Sequence, residues 1–253
     1  MPWAGLRLAV TLLTVIPLPA ARRPAVAAPT RQQAGVAMCW APAVGLLLGG
    51  IAAGVLWVAS HPGRTGPLLA AVLAIAALAG LTGGLHLDGL ADLADGLGSR
   101  RPAGGALEIM KKSDIGPFGV AALVLTLLIQ VAALARAESA GRGIIAVLTA
   151  AVTARLAMTA ACRRGVPAAR GSGLGALVAG SVRPAVVAVL VVAAAAAAVA
   201  LGWIFALALA AGLAASAALT AVAVRRLGGI TGDVLGAIAE VTAAVCLLVT
   251  ALR

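Results

Sequence analysis

Leu68 to Gly96 reads LLAAVLAIAALAGLTGGLHLDGLADLADG, an apolar run that ends in three aspartates, Asp88, Asp92 and Asp95. The first twenty residues, Leu68–Leu87, contain no charged side chain. Twenty apolar residues in a helix cover about 30 Å of hydrocarbon, so the stretch is expected to cross a membrane and to deliver its acids at one boundary. The same pattern recurs along the chain. Apolar runs at Ala34–Ala59, Phe118–Ala135, Gly143–Cys162, Pro184–Leu201, Trp203–Val224 and Val234–Leu252 bring the expected spans to seven. An eighth segment, Trp3–Ile16, is short, carries Arg7 and is followed by Pro17-Leu18-Pro19. It is expected to lie in the interface or to re-enter, and it lacks the basic start of a signal peptide.

Composition agrees. Of 253 residues 62% are hydrophobic and 11% charged, and the mean hydropathy is +1.10. No soluble core could hide that much apolar surface. Backbone groups in lipid must be satisfied internally, and Ala/Leu/Val runs of this length favour helices over the alternating strands of a barrel. The expected fold is an all-α, polytopic integral membrane bundle with seven to eight transmembrane segments, in one domain covering residues 1–253. Gly45, Gly49, Gly50 and Gly54 give the Ala34–Ala59 run the small-residue spacing of close helix packing. Cys39, Cys162 and Cys246 lie in apolar runs at no metal or redox spacing and read as small core residues.

The net charge of +11 sits in short loops and forms no continuous basic face, which argues against nucleic acid as a partner. It speaks to topology instead. Arg22, Arg23, Arg31, Arg100, Arg101, Lys111, Lys112, Arg163, Arg164, Arg170, Arg183, Arg225 and Arg226 place 13 of the 19 basic residues in alternate loops. The opposite loops and the C-terminus hold Arg64, Arg136, Arg142 and Arg253. The rich side is expected to be cytoplasmic.

The eight acids are distributed unevenly. Asp88, Asp92, Asp95, Glu108 and Asp114 fall within 27 positions, and Asp233 and Glu240 bracket the start of the last run. Asp88, Asp92 and Asp95 stand at i, i+4 and i+7, within about 60° on one helical face. Three carboxylates on one stripe repel one another unless a cation intervenes. Oxygen donors without convergent His or Cys suit Mg²⁺, or Mn²⁺, and those ions suit substrate phosphates. His86 falls on the opposite face and is expected to bond a neighbouring helix. Asp114 reads either as a catalytic carboxylate or as part of the turn before Pro117, a proline suited to a first helical position. Asp233 reads as a site residue or as an acid favoured by a helix start. Glu240, one face with Asp233, needs a partner in the membrane, and Arg155 is a plausible one; structural pairing and substrate contact both stay open.

Asp92-Leu93-Ala94-Asp95-Gly96-Leu97-Gly98-Ser99-Arg100 is similar to the opening half of the CDP-alcohol phosphotransferase motif, whose second aspartate pair is missing here. The longer pattern is more specific. Thr82-Gly83-Gly84-Leu85-His86-Leu87-Asp88 through Gly96, Leu107-Glu108-Ile109-Met110-Lys111-Lys112-Ser113-Asp114-Ile115-Gly116-Pro117-Phe118-Gly119, Ala169-Arg170 with Gly173-Leu174-Gly175, and Leu227-Gly228-Gly229-Ile230-Thr231-Gly232-Asp233 resemble the adenosylcobinamide-GDP ribazoletransferase (cobalamin synthase) family over nearly the whole chain. The resemblance departs at Lys112-Ser113-Asp114, where many members carry an acid early and a base late.

The resemblance implies a Mg²⁺-dependent phosphotransferase. Its substrates would be adenosylcobinamide-GDP and α-ribazole or α-ribazole 5′-phosphate, and its products adenosylcobalamin or its 5′-phosphate and GMP. It implies Asp88, Asp92 and Asp95 as metal ligands, and Asp114 and Lys111 as catalytic residues, the first taking a proton and the second meeting phosphate. Arg100, also on phosphate, with Glu108, Arg170, Asp233 and Glu240, would bind substrate. The active-site loops would be 86–116, 163–183 and 225–233, in a bacterial cytoplasmic membrane and facing the cytoplasm, with a homo-oligomer left open. The rivals are a CDP-alcohol-phosphotransferase-like lipid enzyme and an ion-coupled transporter. The second should spread its acids near mid-bilayer in two repeats, and no internal repeat is visible.

Overall fold

The computed structural model describes residues 2–17, 29–61 and 65–252. Arg22, Arg23, Arg64, Arg253 and the Leu18-Pro19 part of the first expected break lie outside the described residues. The chain is a helical bundle, with α1 Pro2–Leu13, α2 Arg31–Ser60, α3 Pro67–Leu81, α4 Leu85–Gly98, α5 Ala103–Ile109 and α6 Pro117–Ser139 in its first half. The second half holds α7 Gly143–Ala161, α8 Gly173–Val178, α9 Pro184–Leu201, α10 Trp203–Leu227 and α11 Gly232–Ala251. No strand occurs among the described residues; two isolated bridges, Arg163 with Val182 and Ala168 with Ile230, are the extended pairings there.

Six of these helices are long and apolar enough to cross a membrane: α2, α6, α7, α9, α10 and α11. Each coincides with an expected run. The seventh expected span is broken by a bend. Leu68–Leu87 is not one helix, because α3 stops at Leu81 and α4 leaves at 88°. The physical reason is the pair Gly83-Gly84, with φ of +60° and +72°. That left-handed backbone cannot continue a right-handed helix, and glycine adopts it without penalty. The 14 residues of α4 make about 21 Å of helix, too short to span, and the bend lays them across the end of the bundle. The first segment is likewise short, with 12 residues in α1, and it packs on α2.

α7 is the centre of the bundle, 67% of it buried, whereas α9 is 11% buried and presents its Val/Ala surface outward. Hydrophobicity does not drive helices together in lipid, so close packing must. A methyl group on Gly45 would lie 2.6 Å from the Ala151 carbonyl oxygen, and one on Gly49 2.9 Å from the Ala151 Cβ, so α2 and α7 touch along the expected glycines. Gly50 and Gly54 face open space. Thr159 Oγ1 adds an interhelical bond, donating to the Met38 carbonyl at 2.6 Å. Cys162 and Cys246 are buried, Cys39 is half-buried, and all three are free thiols.

The loops expected on the basic side meet at one end. Ala169 N donates to Ile230 O at 3.0 Å and Ile230 N to Pro167 O at 2.9 Å, which stitches segment 163–183 to segment 225–233. Gly84→Ala should cost about 1–2 kcal/mol through left-handed strain alone, since nothing lies within 4 Å of the added methyl. Gly50→Ala, in equally open space but within regular helix, should cost nothing. Thermal unfolding of the two variants in detergent checks the contrast, and equal stability would refute the turn as the cause.

Candidate active site

The site is assembled where α4 crosses the start of α11. A methyl on Gly89 would stand 2.7 Å from the Asp233 carbonyl oxygen, and one on Gly236 3.1 Å from the His86 Cα, so the two backbones are nearly in contact. Thr231 begins α11 by accepting from Val234 N at 3.1 Å. Asp233, in the first turn, accepts at Oδ2 from Arg170 Nη1 and from Thr231 Oγ1, both at 3.2 Å. Arg170 Nη2 also donates to the Leu107 carbonyl at 2.9 Å. One guanidinium thus ties three loops together.

Two clefts open on this junction. The first, of about 460 Å³, is lined by Asp88, Asp92, Lys111, Lys112, Ser113 and Asp114 among others. The second, of about 280 Å³, is lined by Asp88, Asp233, Arg170, His86 and residues 172–175 at the start of α8. Asp88 borders both.

Asp92 lies outside the membrane-spanning segments, and its carboxyl is pushed up to about 6. Partial burial is the main cause, followed by the nearby charges of Asp88 and Asp233, with Arg170 opposing and Asp95 adding. Negative charge is therefore crowded where Asp92 meets the first cleft.

The expected site residues divide. Asp88, Asp92, Lys111 and Asp114 come together on the first cleft, and Arg170 and Asp233 join Asp88 on the second. Asp95 shares their helix but points its carboxylate at the start of α6, accepting from Gly116 N at 2.7 Å and from Gly119 N at 2.9 Å. It satisfies two amide groups at a helix start that Gly116 cannot cap with a side chain. Arg100 follows the end of α4 and is exposed, and Glu108 is exposed on α5; neither lines a cleft.

Glu240 is also apart from both clefts. Its Oε2 accepts from Gln130 Nε2 at 2.8 Å, and with Arg155 it borders a cavity of about 30 Å³ inside the bundle. Arg155 Nη2 instead reaches His86 Nδ1 at 3.3 Å, so His86 does bond a neighbouring helix. Gln130, Ser113 and Ser172 are contacts that the sequence reading missed, and Lys112, to which it gave no role, lines the first cleft. For Lys112 a signal existed, since it adjoins Lys111 in a chain with no other lysine.

Among the described residues, no three His, Cys, Asp or Glu side chains are grouped to hold a metal ion. Asp88 and Asp92 on one cleft fit a different mode, that of Mg²⁺, which keeps several waters and uses one or two carboxylates together with substrate phosphates. The crowding of charge at Asp92 favours a cation in the same place.

Comparison with known proteins bears on the chemistry. Residues 5–251 match the profile of a family described as cobalamin-5-phosphate synthase. A protein of Frankia casuarinae named adenosylcobinamide-GDP ribazoletransferase is 45% identical, over 97% of this chain and 94% of its own. A protein of the same name from Bradyrhizobium diazoefficiens is 38% identical, over 98% and 93%, and one from Chlorobaculum tepidum is 37% identical, over 98% and 95%. No solved structure matches.

The geometry separates two aspartates that spacing alone treats alike. Asp95→Ala should lower stability by about 1 kcal/mol through the lost helix cap. Asp92→Ala, which relieves like-charge crowding, should lower it not at all. Thermal unfolding without divalent cations checks this, and a destabilised Asp92→Ala beside an unaffected Asp95→Ala would reverse the assignment.

Proposed function

This chain belongs to the cobalamin-5-phosphate synthase family, and on that premise we propose how its clefts carry out the transfer that its relatives are named for. It is a membrane-embedded transferase of cobalamin biosynthesis, and membership in the family sets aside the lipid-enzyme and transporter readings. The reaction joins adenosylcobinamide-GDP to α-ribazole or α-ribazole 5′-phosphate. The ribose 3′-hydroxyl oxygen bonds to the cobinamide-side phosphorus. The anhydride P–O bond breaks, GMP leaves with the bonding electrons, and the hydroxyl proton passes to a carboxylate.

The observation that supports this most is the first cleft, where Asp88 and Asp92 face Lys111, Lys112 and Asp114. Phosphoryl transfer asks little covalent work of a protein; it asks for positioning and for charge neutralisation. Asp88 and Asp92 would hold Mg²⁺, or Mn²⁺, which when bound neutralises charge on the diphosphate oxygens. Lys111 and Lys112 bind those oxygens as point charges and offset the charge that builds on departing GMP. Asp114, on the same cleft, takes the proton. Asp95 supports the arrangement by fixing α6 to α4, and Arg170 by holding Asp233 against segment 107–110.

The membrane is the bacterial cytoplasmic membrane and the clefts face the cytoplasm. Support comes from the basic residues of segments 100–112 and 163–183 and from Arg225 and Arg226 in the last turn of α10, which share the end of the bundle that carries the clefts.

Membranes containing the protein should convert adenosylcobinamide-GDP and α-ribazole 5′-phosphate into corrinoid product and GMP in equal amounts. Chelating divalent cations should stop turnover, and Mg²⁺ should restore it. Asp92→Ala should abolish both products while leaving expression intact; an active Asp92→Ala would remove the metal assignment. Ser113→Cys should react with a membrane-impermeant maleimide in inverted vesicles and not in intact cells, and the opposite pattern would invert the orientation.

A further inference from the structure

The second cleft differs chemically from the first. Its walls are largely apolar, with Leu13, Leu85, Met158, Leu174 and Ile230. Among the described residues its one cationic side chain, Arg170, is already engaged by Asp233 and by the Leu107 carbonyl. Asp88 and Asp233 leave it acidic. Such a place repels a diphosphate and suits an uncharged, partly apolar ligand with hydrogen-bonding atoms.

His86 specifies what that ligand must offer. His86 is 1% exposed and is one of the residues that line the cleft. Its Nδ1 faces Arg155 Nη2 at 3.3 Å. A guanidinium can only donate, so Nδ1 is the accepting nitrogen and the ring proton sits on Nε2. Nε2 is buried and has no partner among the described residues. Arg170 Nε, from the same wall, is a second buried donor without a partner there. Native proteins seldom leave buried donors unmet, and here two of them belong to residues that line one cleft.

We propose that this cleft is the subsite for the base and ribose of the accepting nucleoside, with any 5′-phosphate left outside it. The base of α-ribazole would lie against the apolar wall, with its unprotonated ring nitrogen or ribose oxygens accepting from His86 Nε2–H. The diphosphate substrate occupies the first cleft, and the 3′-hydroxyl reaches it past Asp88, which borders both. Arg155 is a positioning residue, holding His86 in the tautomer that donates into the subsite. The inference deepens the transferase reading and rests on it.

The test is two-substrate kinetics of the full-length protein in membranes, with α-ribazole, which carries no phosphate, as the acceptor. His86→Ala should raise the KM for α-ribazole about tenfold, the loss of one hydrogen bond. The KM for adenosylcobinamide-GDP should stay within about twofold. His86→Gln, whose amide nitrogen can donate from a similar place, should recover most of the acceptor KM. Lys112→Ala should do the reverse, raising the KM for adenosylcobinamide-GDP alone. Ser172→Trp, at the exposed rim of the second cleft, should raise the acceptor KM without touching the interior, and it carries the test if His86→Ala does not fold. An unchanged acceptor KM in Ser172→Trp, or a rise for the diphosphate substrate in its place, would overturn the subsite. A wild-type protein that makes no corrinoid product or GMP from either form of ribazole would instead overturn the transferase reading itself.

Discussion

The acidic end of the bundle depends on how closely α4 can lie against α11. Gly89 meets the backbone at Asp233, with no room for a side chain, and Gly236 meets the backbone at His86, where a methyl would be a tight fit. That contact brings Asp88 and Asp92 from one helix beside Asp233 from another across about 140 residues of sequence. It also sets the electrostatic problem, because Asp88 and Asp233 both disfavour ionised Asp92. Arg170 relieves part of the strain by pairing with Asp233. A cation and a cationic substrate clamp fit what is left.

Below that layer, the bundle interior carries polar groups that lipid would not tolerate alone. His86 is matched with Arg155, and Glu240 with Gln130. Each pair crosses between helices, so each joins a span to its neighbour while satisfying a group that would be costly in hydrocarbon. The two pairs are linked, since Arg155 and Glu240 border one small cavity. The packing that carries His86 to the second cleft is therefore anchored deep in the bundle.

The sequence shows the spans because their signal is local: each is a run of apolar residues of membrane length. Pro117 opening α6 was legible for the same reason. The break in the Leu68–Leu87 run was not, because two glycines inside an apolar stretch leave its hydropathy intact while reversing the sign of φ. For the site, helical spacing puts Asp88 and Asp92 on one stripe, and both line the first cleft. It could not show that Asp95, one turn on, serves the start of α6, because that partner lies 21 positions away. Arg155 was matched by depth to Glu240, and the two do border one cavity, but the hydrogen bond of Arg155 goes to His86 at 69 positions' separation, which depth did not show. Long-range pairing of this kind follows from the order of helices in the bundle, which hydropathy does not encode.

The bend between α3 and α4 is what turns a membrane span into part of a site. Continued straight, the helix from Pro67 to Gly98 would run for about 48 Å at 1.5 Å per residue, well beyond the hydrocarbon, and would project its aspartates into water. Any cation held there would be dilute in solvent and far from Arg170 and Lys111. Folded over by 88°, the same aspartates lie across the bundle end, roofed by segment 107–116 and flanked by segment 163–183. One face of α4 stays near water, from which a nucleotide can arrive, and the other is pressed onto an apolar interior. A reaction between a charged diphosphate and a flat, largely apolar nucleoside needs both environments within one bond's reach, and Asp88, which borders both clefts, stands at that boundary.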